Sequence, residues 1–389
     1  MAPMEENLFA EFTPVDRDKW LTKIETDLKG KALEALDWEA AGLSGGPIYT
    51  QEDLPDPLPA VANTNAKPEL FGARYWVNYQ PIAVADAKAA NQKALHALNN
   101  GADGLLFVID ELPNFAVLLK DIKLAYCHVS FDNHTGKDLH QAYVSYLRQS
   151  GVDLDAVHGF IRSNGTQTAV DQGPFGLKSL NISNDPRLAG KPVMELAGLL
   201  AKTAQQYDEL TEEGSSARPL FDTTQFELAT GSSYFAEIAK FRALRALVIR
   251  FASAYEVTLA ASEVNILAQT SDWTTALDDP HSHLLSATTQ AMAAIIGGAD
   301  ALCVQSFSSV FPDAPDLAAR AARNISSILK DESYLGQVVD PSAGTYYIES
   351  LTQQLHHQAW QLFIAIEEAG GITALDAEQL KSLHQKSSS

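Results

Sequence analysis

Asp279, His281 and His283 fall within five positions of one another in the run DDPHSHLL. A carboxylate and two imidazoles are side chains that hold divalent transition metals, so the stretch is a candidate ligand set. The spacing argues otherwise. Residues at i and i+2 on a helix point to different sides, which is poor geometry for holding one ion together. Asp279 followed by Pro280 reads instead as a helix opening, with aspartate as the N-cap and proline at the first helical position. The chemistry-rich stretch is therefore read as a capped helix start.

FDNHTGK, Phe131 to Lys137, offers a second candidate. It lies at the end of a predicted strand, where His134 could act as a pocket acid or base. The competing reading is a helix-start loop capped by Asp132 or Thr135. In YFAEIAKFRALRALVIRF the charges Glu237, Lys240, Arg242, Arg245 and Arg250 go around most of the helix. A surface helix would keep them on one side, so some must be paired inside the protein or at an interface. Glu237 and Lys240 are spaced to pair at i, i+3. Gly297-Gly298 reads as a helix stop and not as a phosphate loop. Asp340 to Tyr347, DPSAGTYY, reads as a turn that needs no ligand.

The elements that must position these groups alternate. Short, apolar, β-branched strands beginning near Tyr75, Leu105, Ala125, Val157, Lys178, Thr224, Val264 and Ala301 are followed by helical patterns. Strands apolar on both faces belong to a parallel sheet covered by helices. Eight of them favour an α/β fold of the (β/α)8 TIM-barrel type over an open sheet. Neither a G-x-G-x-x-G fingerprint nor a Walker loop follows a strand, which weakens a nucleotide-binding reading. Residues 1–70 are predicted as an N-terminal arm, a helix over DRDKWLTKIETDLKG and then an extended Pro/Gly/Asn-rich segment. Residues 71–375 form the barrel, and 376–389 read as a polar tail or linker.

Composition narrows the function classes. The 389 residues carry a net charge of −21, which repels nucleic acid. No apolar run approaches the roughly 18–20 residues of a membrane span, and the acidic start is unlike a signal peptide. The two cysteines, Cys127 and Cys303, each lie in an apolar run, which predicts buried thiols in a reducing cytoplasm.

Four stretches together resemble the methylmalonyl-CoA mutase family. They are LFAEFTPVDRDKWLTKIETDLKG with PIYTQEDL, then YFAEIAKFRALRAL, then AQTSDWTTALDDPHSHLLSATTQAMAAIIGGADAL, then VVDPSAGTYYIESLTQQLHHQAWQLFIAIEEAGGI. The resemblance implies a barrel through which a CoA thioester threads, and a radical reaction started by adenosylcobalamin that interconverts methylmalonyl-CoA and succinyl-CoA. It also identifies what this chain lacks. Catalytic chains of the family carry an Arg-Pro-Tyr-Ala-Gly type motif before the first barrel strand, where this chain has only Arg74-Tyr75. Their Ser-Gly-Tyr-His motif becomes Ser183, Asn184, Asp185 and Pro186, with Arg187 nearby. Their Asp-Pro-Tyr-Asn-Asn becomes Asp279-Pro280-His281-Ser282-His283, and Ser286 stands in place of an arginine. Asp279-x-His281 also begins the Asp-x-His-x-x-Gly signature of corrin-ligating histidines, but Leu284 occupies the glycine position.

The resemblance thus implies a non-catalytic small subunit, paired with a large catalytic subunit as a heterodimer. Adenosylcobalamin would belong to the complex and not to this chain, which has no catalytic, cofactor or metal residues of its own. The alternative is a stand-alone barrel enzyme or binder acting on an acyl-CoA or small organic acid, with His134, Gln225, Gln269 and Gln305 lining a pocket at strand ends. A homodimeric scaffold without a ligand is a third reading.

Overall fold

The computed structural model describes residues 15–54, 74–163, 176–183, 185–271, 280–305 and 315–387. The chain opens with helix α1 (Arg17–Asp27), capped by the Asp16 side chain, and an antiparallel hairpin of β1 (Trp38–Ala40) and β2 (Leu43–Gly45). The barrel strands follow: β3 (Val77–Ala83), β4 (Gly104–Ile109), β5 (His128–Asn133), β6 (Gly159–Ser163), β7 (Leu177–Lys178), β8 (Leu180–Ser183), β9 (Thr224–Thr230), β10 (Asn265–Thr270) and β11 (Ala301–Cys303).

All pair in parallel, in the order β7-β6-β5-β4-β3-β11-β10-β9-β8. β7 and β8 are one strand interrupted at Ser179: its first part pairs with β6 and its last part with β9. That segment closes the sheet into a ring of eight strand positions. The fold is a (β/α)8 barrel with an N-terminal arm, as the alternation of strands and helices predicts. Gly159 makes one contact of the ring possible. Its φ is +151°, and a Cβ there would lie 1.9 Å from the Val129 carbonyl oxygen.

The outer layer comprises α2 (Ala87–Leu98), α3 (Phe115–Leu118), α4 (Leu139–Ser150), α5 (Pro192–Glu212), α6 (Ala217–Asp222), α7 (Tyr234–Ala254), α8 (Pro280–Ile296) and α9 (Pro315–Ser327). Beyond it, α10 (Tyr346–Glu368) packs on α5 and α7. Residues 376–389, expected to be a polar tail, instead contain a helix, α11 (Ala377–Ser387), which packs on α10 with Leu380 fully buried. Its polar composition hid a single apolar row, because one side of a short helix suffices to dock it.

The charges of α7 are paired, as their distribution predicts. Lys240 lies 2.6 Å from Glu195 of α5 and 2.5 Å from Glu237, and none of the three side chains is more than 3% exposed. Two carboxylates face one ammonium, and burial pushes the Glu237 carboxyl above its ordinary pKa despite Lys240. Arg242 pairs with Asp340 and, at 2.8 Å, with Glu349. Arg245 pairs with Asp300 at 2.7 Å and donates to the carbonyls of Ala261, Val264 and Gly298. Arg250 lies over the Trp360 ring, 4.1 Å from its centroid. The DPSAGTYY turn thus supplies the counter-charge for a buried arginine.

Removing one partner of a buried pair leaves the other charge uncompensated. Lys240→Met should cost about 3–5 kcal/mol in denaturant unfolding, and adding Glu195→Gln should recover part of it. A loss under about 1 kcal/mol would show that the triad does little for stability.

Candidate functional site

Barrels keep their chemistry at the C-terminal ends of the strands. The lumen below that mouth holds its own apolar cluster of Val77, Tyr79, Leu106, Phe160, Leu267, Ala301 and Cys303, separate from the shell between sheet and helices. Tyr79 meets Phe160 edge-on at 5.4 Å, and Ser130 donates to the Tyr79 hydroxyl at 3.1 Å. Burial pushes the Cys303 thiol up to about 12, so it stays protonated and inert.

Above this layer, Arg162 of β6 spans the lumen. Its Nη1 donates to Asp132 Oδ2 of β5 at 2.6 Å. Its Nε and Nη2 fork onto Glu227 of β9 at 3.1 and 2.7 Å, and Nη2 reaches Gln269 Oε1 of β10 at 3.4 Å. Asn181 of β8 donates to the same Glu227 at 2.9 Å. Burial opposes the charge on Arg162, but Glu227 and Asp132 outweigh it and hold the guanidinium pKa above its ordinary value. β6 is thereby tied to its neighbour β5 and, through the interior, to the non-adjacent β9 and β10.

At the mouth, His134 Nε2 lies 3.1 Å from Asp132 Oδ1, and Nδ1 lies 3.5 Å from Asp110. Both ring nitrogens face carboxylates. Asp132 is a lumen ion-pair partner and not a helix cap. The following helix is capped by Asp138, whose side chain accepts from the Gln141 N–H. Thr135 caps only its own loop, accepting from the Lys137 N–H at 3.0 Å.

Of the four pocket candidates, the structure brings His134 and Gln269 into this network. Gln225 is misplaced as a strand-end residue of the mouth: it is the second residue of β9, and its amide donates to the Phe226 carbonyl. Gln305 follows β11, where its backbone N–H donates to the Thr270 hydroxyl. Sequence reasoning missed Asp132 as a partner, and Arg162, Asn181 and Glu227 altogether. The signal was present in the period-2 alternation of VSFDN, GFIRS and QFELAT, which puts Ser130 with Asp132, Phe160 with Arg162 and Gln225 with Glu227 on one strand face. Polar groups on a parallel-barrel strand face the lumen when helices cover the outside.

For DDPHSHLL, helix α8 begins at Pro280 as predicted. The expected cap, Asp279, lies outside the described residues. Among the described residues no three His, Cys, Asp or Glu side chains gather closely enough to hold a metal.

Chemically, each charge of the network is paired. Both Asp132 oxygens and both Glu227 oxygens accept bonds, and Arg162 is spent on carboxylates. Arg162→Met should therefore cost about 3 kcal/mol, the low end for a broken buried pair because 18% of its side chain is exposed. The triple variant with Asp132→Asn and Glu227→Gln should restore most of the loss in urea unfolding. Additive losses would mean that these residues do not act as one unit.

Residues 177–387 match the family described as methylmalonyl-CoA mutase. The methylmalonyl-CoA mutase small subunit of Porphyromonas gingivalis is 33% identical, over 96% of this chain and 66% of that protein. The small subunit of Streptomyces virginiae is 30% identical, over 95% of this chain and 66% of that protein. The chain thus spans just under two thirds of the length of these relatives. A dihydropteroate synthase from Stenotrophomonas maltophilia aligns with a TM-score of 0.34 and 18% identity, over 66% of this chain and 94% of that one, too loose a fit to bear on fold or function. The family match covers more than half of the sequence and runs from the closing strand of the barrel through its last helices: this chain belongs to the methylmalonyl-CoA mutase family.

Proposed function

We propose that the chain is the barrel portion of a non-catalytic small subunit in a heterodimeric methylmalonyl-CoA mutase. In this reading it stabilises a large subunit that carries adenosylcobalamin and interconverts methylmalonyl-CoA and succinyl-CoA. The carrying observation is the Arg162 network, which sets paired charge from β5, β6 and β9 inside the barrel, where the family resemblance has a thioester thread. Two relatives bear the name small subunit, which supports a larger partner.

The positions where catalytic chains hold reactive groups are spent on structure. Arg187, beside the steering-histidine window, forks onto Asp185 with contacts down to 2.6 Å and donates to the Leu375 carbonyl at 2.8 Å. Ser286, in the place of an arginine, accepts from Gln290 of its own helix at 3.2 Å. The residues present do not fit a corrin either. His134 turns both nitrogens to carboxylates, and Leu284 stands where an axial-histidine signature needs glycine.

The arm supports a partner. Its hairpin belongs to this barrel: Leu43 is 1% exposed, Trp38 meets the Tyr347 ring at 5.8 Å, and Ser350 donates to the Asp53 carbonyl at 3.1 Å. Helix α1, by contrast, buries no residue fully, and Trp20, Ile24 and Leu28 are only half-covered. Val15, Ile48 and Leu54 nearby are 67%, 41% and 41% exposed. Apolar groups left open in this way mark association surfaces. We assign 1–70 to the arm and 71–375 to the barrel body, to which α11 is attached. Cys127 and Cys303 are buried free thiols, which suits a reducing cytoplasm, and no helix among the described residues is long and apolar enough to cross a membrane.

Co-expression with the large subunit of the same source should give a stable 1:1 complex on size-exclusion chromatography, weakened by Trp20→Ala. Separate elution of the two intact chains at micromolar concentration would remove the support for this reading. The purified chain given adenosylcobalamin and methylmalonyl-CoA should form no succinyl-CoA above blank. Turnover that disappears in His134→Ala would overturn the non-catalytic assignment.

A further inference from the structure

The seam between α5 and α7 holds an odd number of charges. Glu195 of α5 and Glu237 of α7 both face the Lys240 ammonium, and burial leaves none of the three open to water. Lys240 Nζ donates to Glu195 Oε2 at 2.6 Å and to the Ala229 carbonyl of β9 at 2.8 Å. Glu195 also accepts from the Gly190 N–H at 2.8 Å. Glu237 accepts from the Gly231 N–H, just past β9. Its Oε2 lies 2.5 Å from Nζ but has no partner at hydrogen-bonding angles among the described residues. The charges acting on Glu237 are Lys240, which favours its ionised form, and Glu195, which opposes it. Burial opposes the charge on Lys240, but Glu195 and Glu237 outweigh it, so the ammonium stays charged.

We propose that this seam stores a proton: Glu237 is held as a neutral carboxylic acid against a Glu195–Lys240 ion pair, and ionising it loosens α7 from α5 beneath the C-terminal end of β9. With both carboxylates ionised, the site would carry one uncompensated negative charge out of reach of water. Both glutamates lie in the first turn of their helices, where the helix dipole favours an anion. That help is smaller than the cost of desolvating a second anion. Glu195 keeps the charge because two donors, Lys240 and the Gly190 N–H, serve it. Burial holds the Glu237 pKa above its ordinary value of 4.5, so the folded chain binds more protons than the unfolded chain above that pH. The stability that this proton supplies is complete below pH 4.5 and is lost as pH rises through the folded pKa. The device belongs to the isolated chain, and its test needs no partner.

The experiment combines infrared difference spectroscopy with urea unfolding of the full chain. At about pH 7 the folded wild-type spectrum minus that of Glu237→Gln should contain the C=O band of a protonated carboxyl, shifted in heavy water. Glu195→Gln leaves one carboxylate for Lys240, so Glu237 should ionise there. The band should then be replaced by a carboxylate band when Glu195→Gln is compared with the double variant. Between about pH 6 and pH 8 the wild-type unfolding constant should rise relative to that of Glu237→Gln, by up to about tenfold per pH unit. Glu237→Gln should be no less stable than the wild type at the upper end. A carboxylate band in the wild type at about pH 7, or unfolding constants that run parallel with pH, would overturn the stored proton. A protonated band that persists in Glu195→Gln would overturn the competition of two carboxylates for one ammonium. Failure of Glu237→Gln to fold would also count against the proposal, since a neutral side chain of the same shape should be accepted.

Discussion

A guanidinium in the middle of a barrel cannot stand alone. Taking its charge out of water costs several kcal/mol unless carboxylates meet it with good geometry. Arg162 is met by two, on strands from different sides of the ring, and the polar groups around it follow from that requirement. Asp132 and Glu227 must point inward, Asn181 donates to Glu227, Gln269 accepts from Arg162, and His134 covers Asp132 from the mouth. The lumen is thereby cross-braced. The brace can set the ring's shape as much as the backbone ladder does, because it ties strands that are not neighbours.

The same accounting governs α7. A helix buried on most of its surface ought to be apolar all round. This one keeps Lys240, Arg242 and Arg245 at no more than 1% exposure and supplies each with carboxylates from other elements: Glu195, Asp340 with Glu349, and Asp300. Those partners come from α5, from the DPSAGTYY turn with the start of α10, and from the entry to β11. The pairs therefore specify which elements pack on α7, a choice that apolar contacts alone leave loosely fixed. In a chain of net charge −21, the internal cations are used against specific carboxylates, and the excess acid is left to the surface.

The arm shows the opposite regime. Its hairpin is fixed by burial, through Leu43 and the Trp38, Tyr49 and Tyr347 rings, whereas α1 buries no residue fully and meets the 50–53 turn through the partly exposed Arg17. Buried contacts resist change in conditions, while exposed ion pairs yield to salt and to competing surfaces.

The sequence by itself determined the architecture. Eight apolar strand patterns alternating with helical ones leave few options once both faces of each strand must be covered, and the four family-like stretches fell in the right order. It also determined that the α7 charges are paired, since their spacing around the helix excludes an all-solvent face. Only the tertiary structure decided which carboxylate each cation meets, because those partners lie up to 107 residues away, as Glu349 does from Arg242. Likewise, Gln225 and Gln269 look alike in sequence as glutamines in strands. Their different heights along the barrel axis separate them, and height depends on where each strand begins in the ring. His134 read as a free imidazole because nothing local shows that Asp110 and Asp132, on adjacent strand ends, face both of its nitrogens. Local pattern fixes which face a residue takes. What it meets there is set by the register of strands distant in the chain, and no local propensity encodes that.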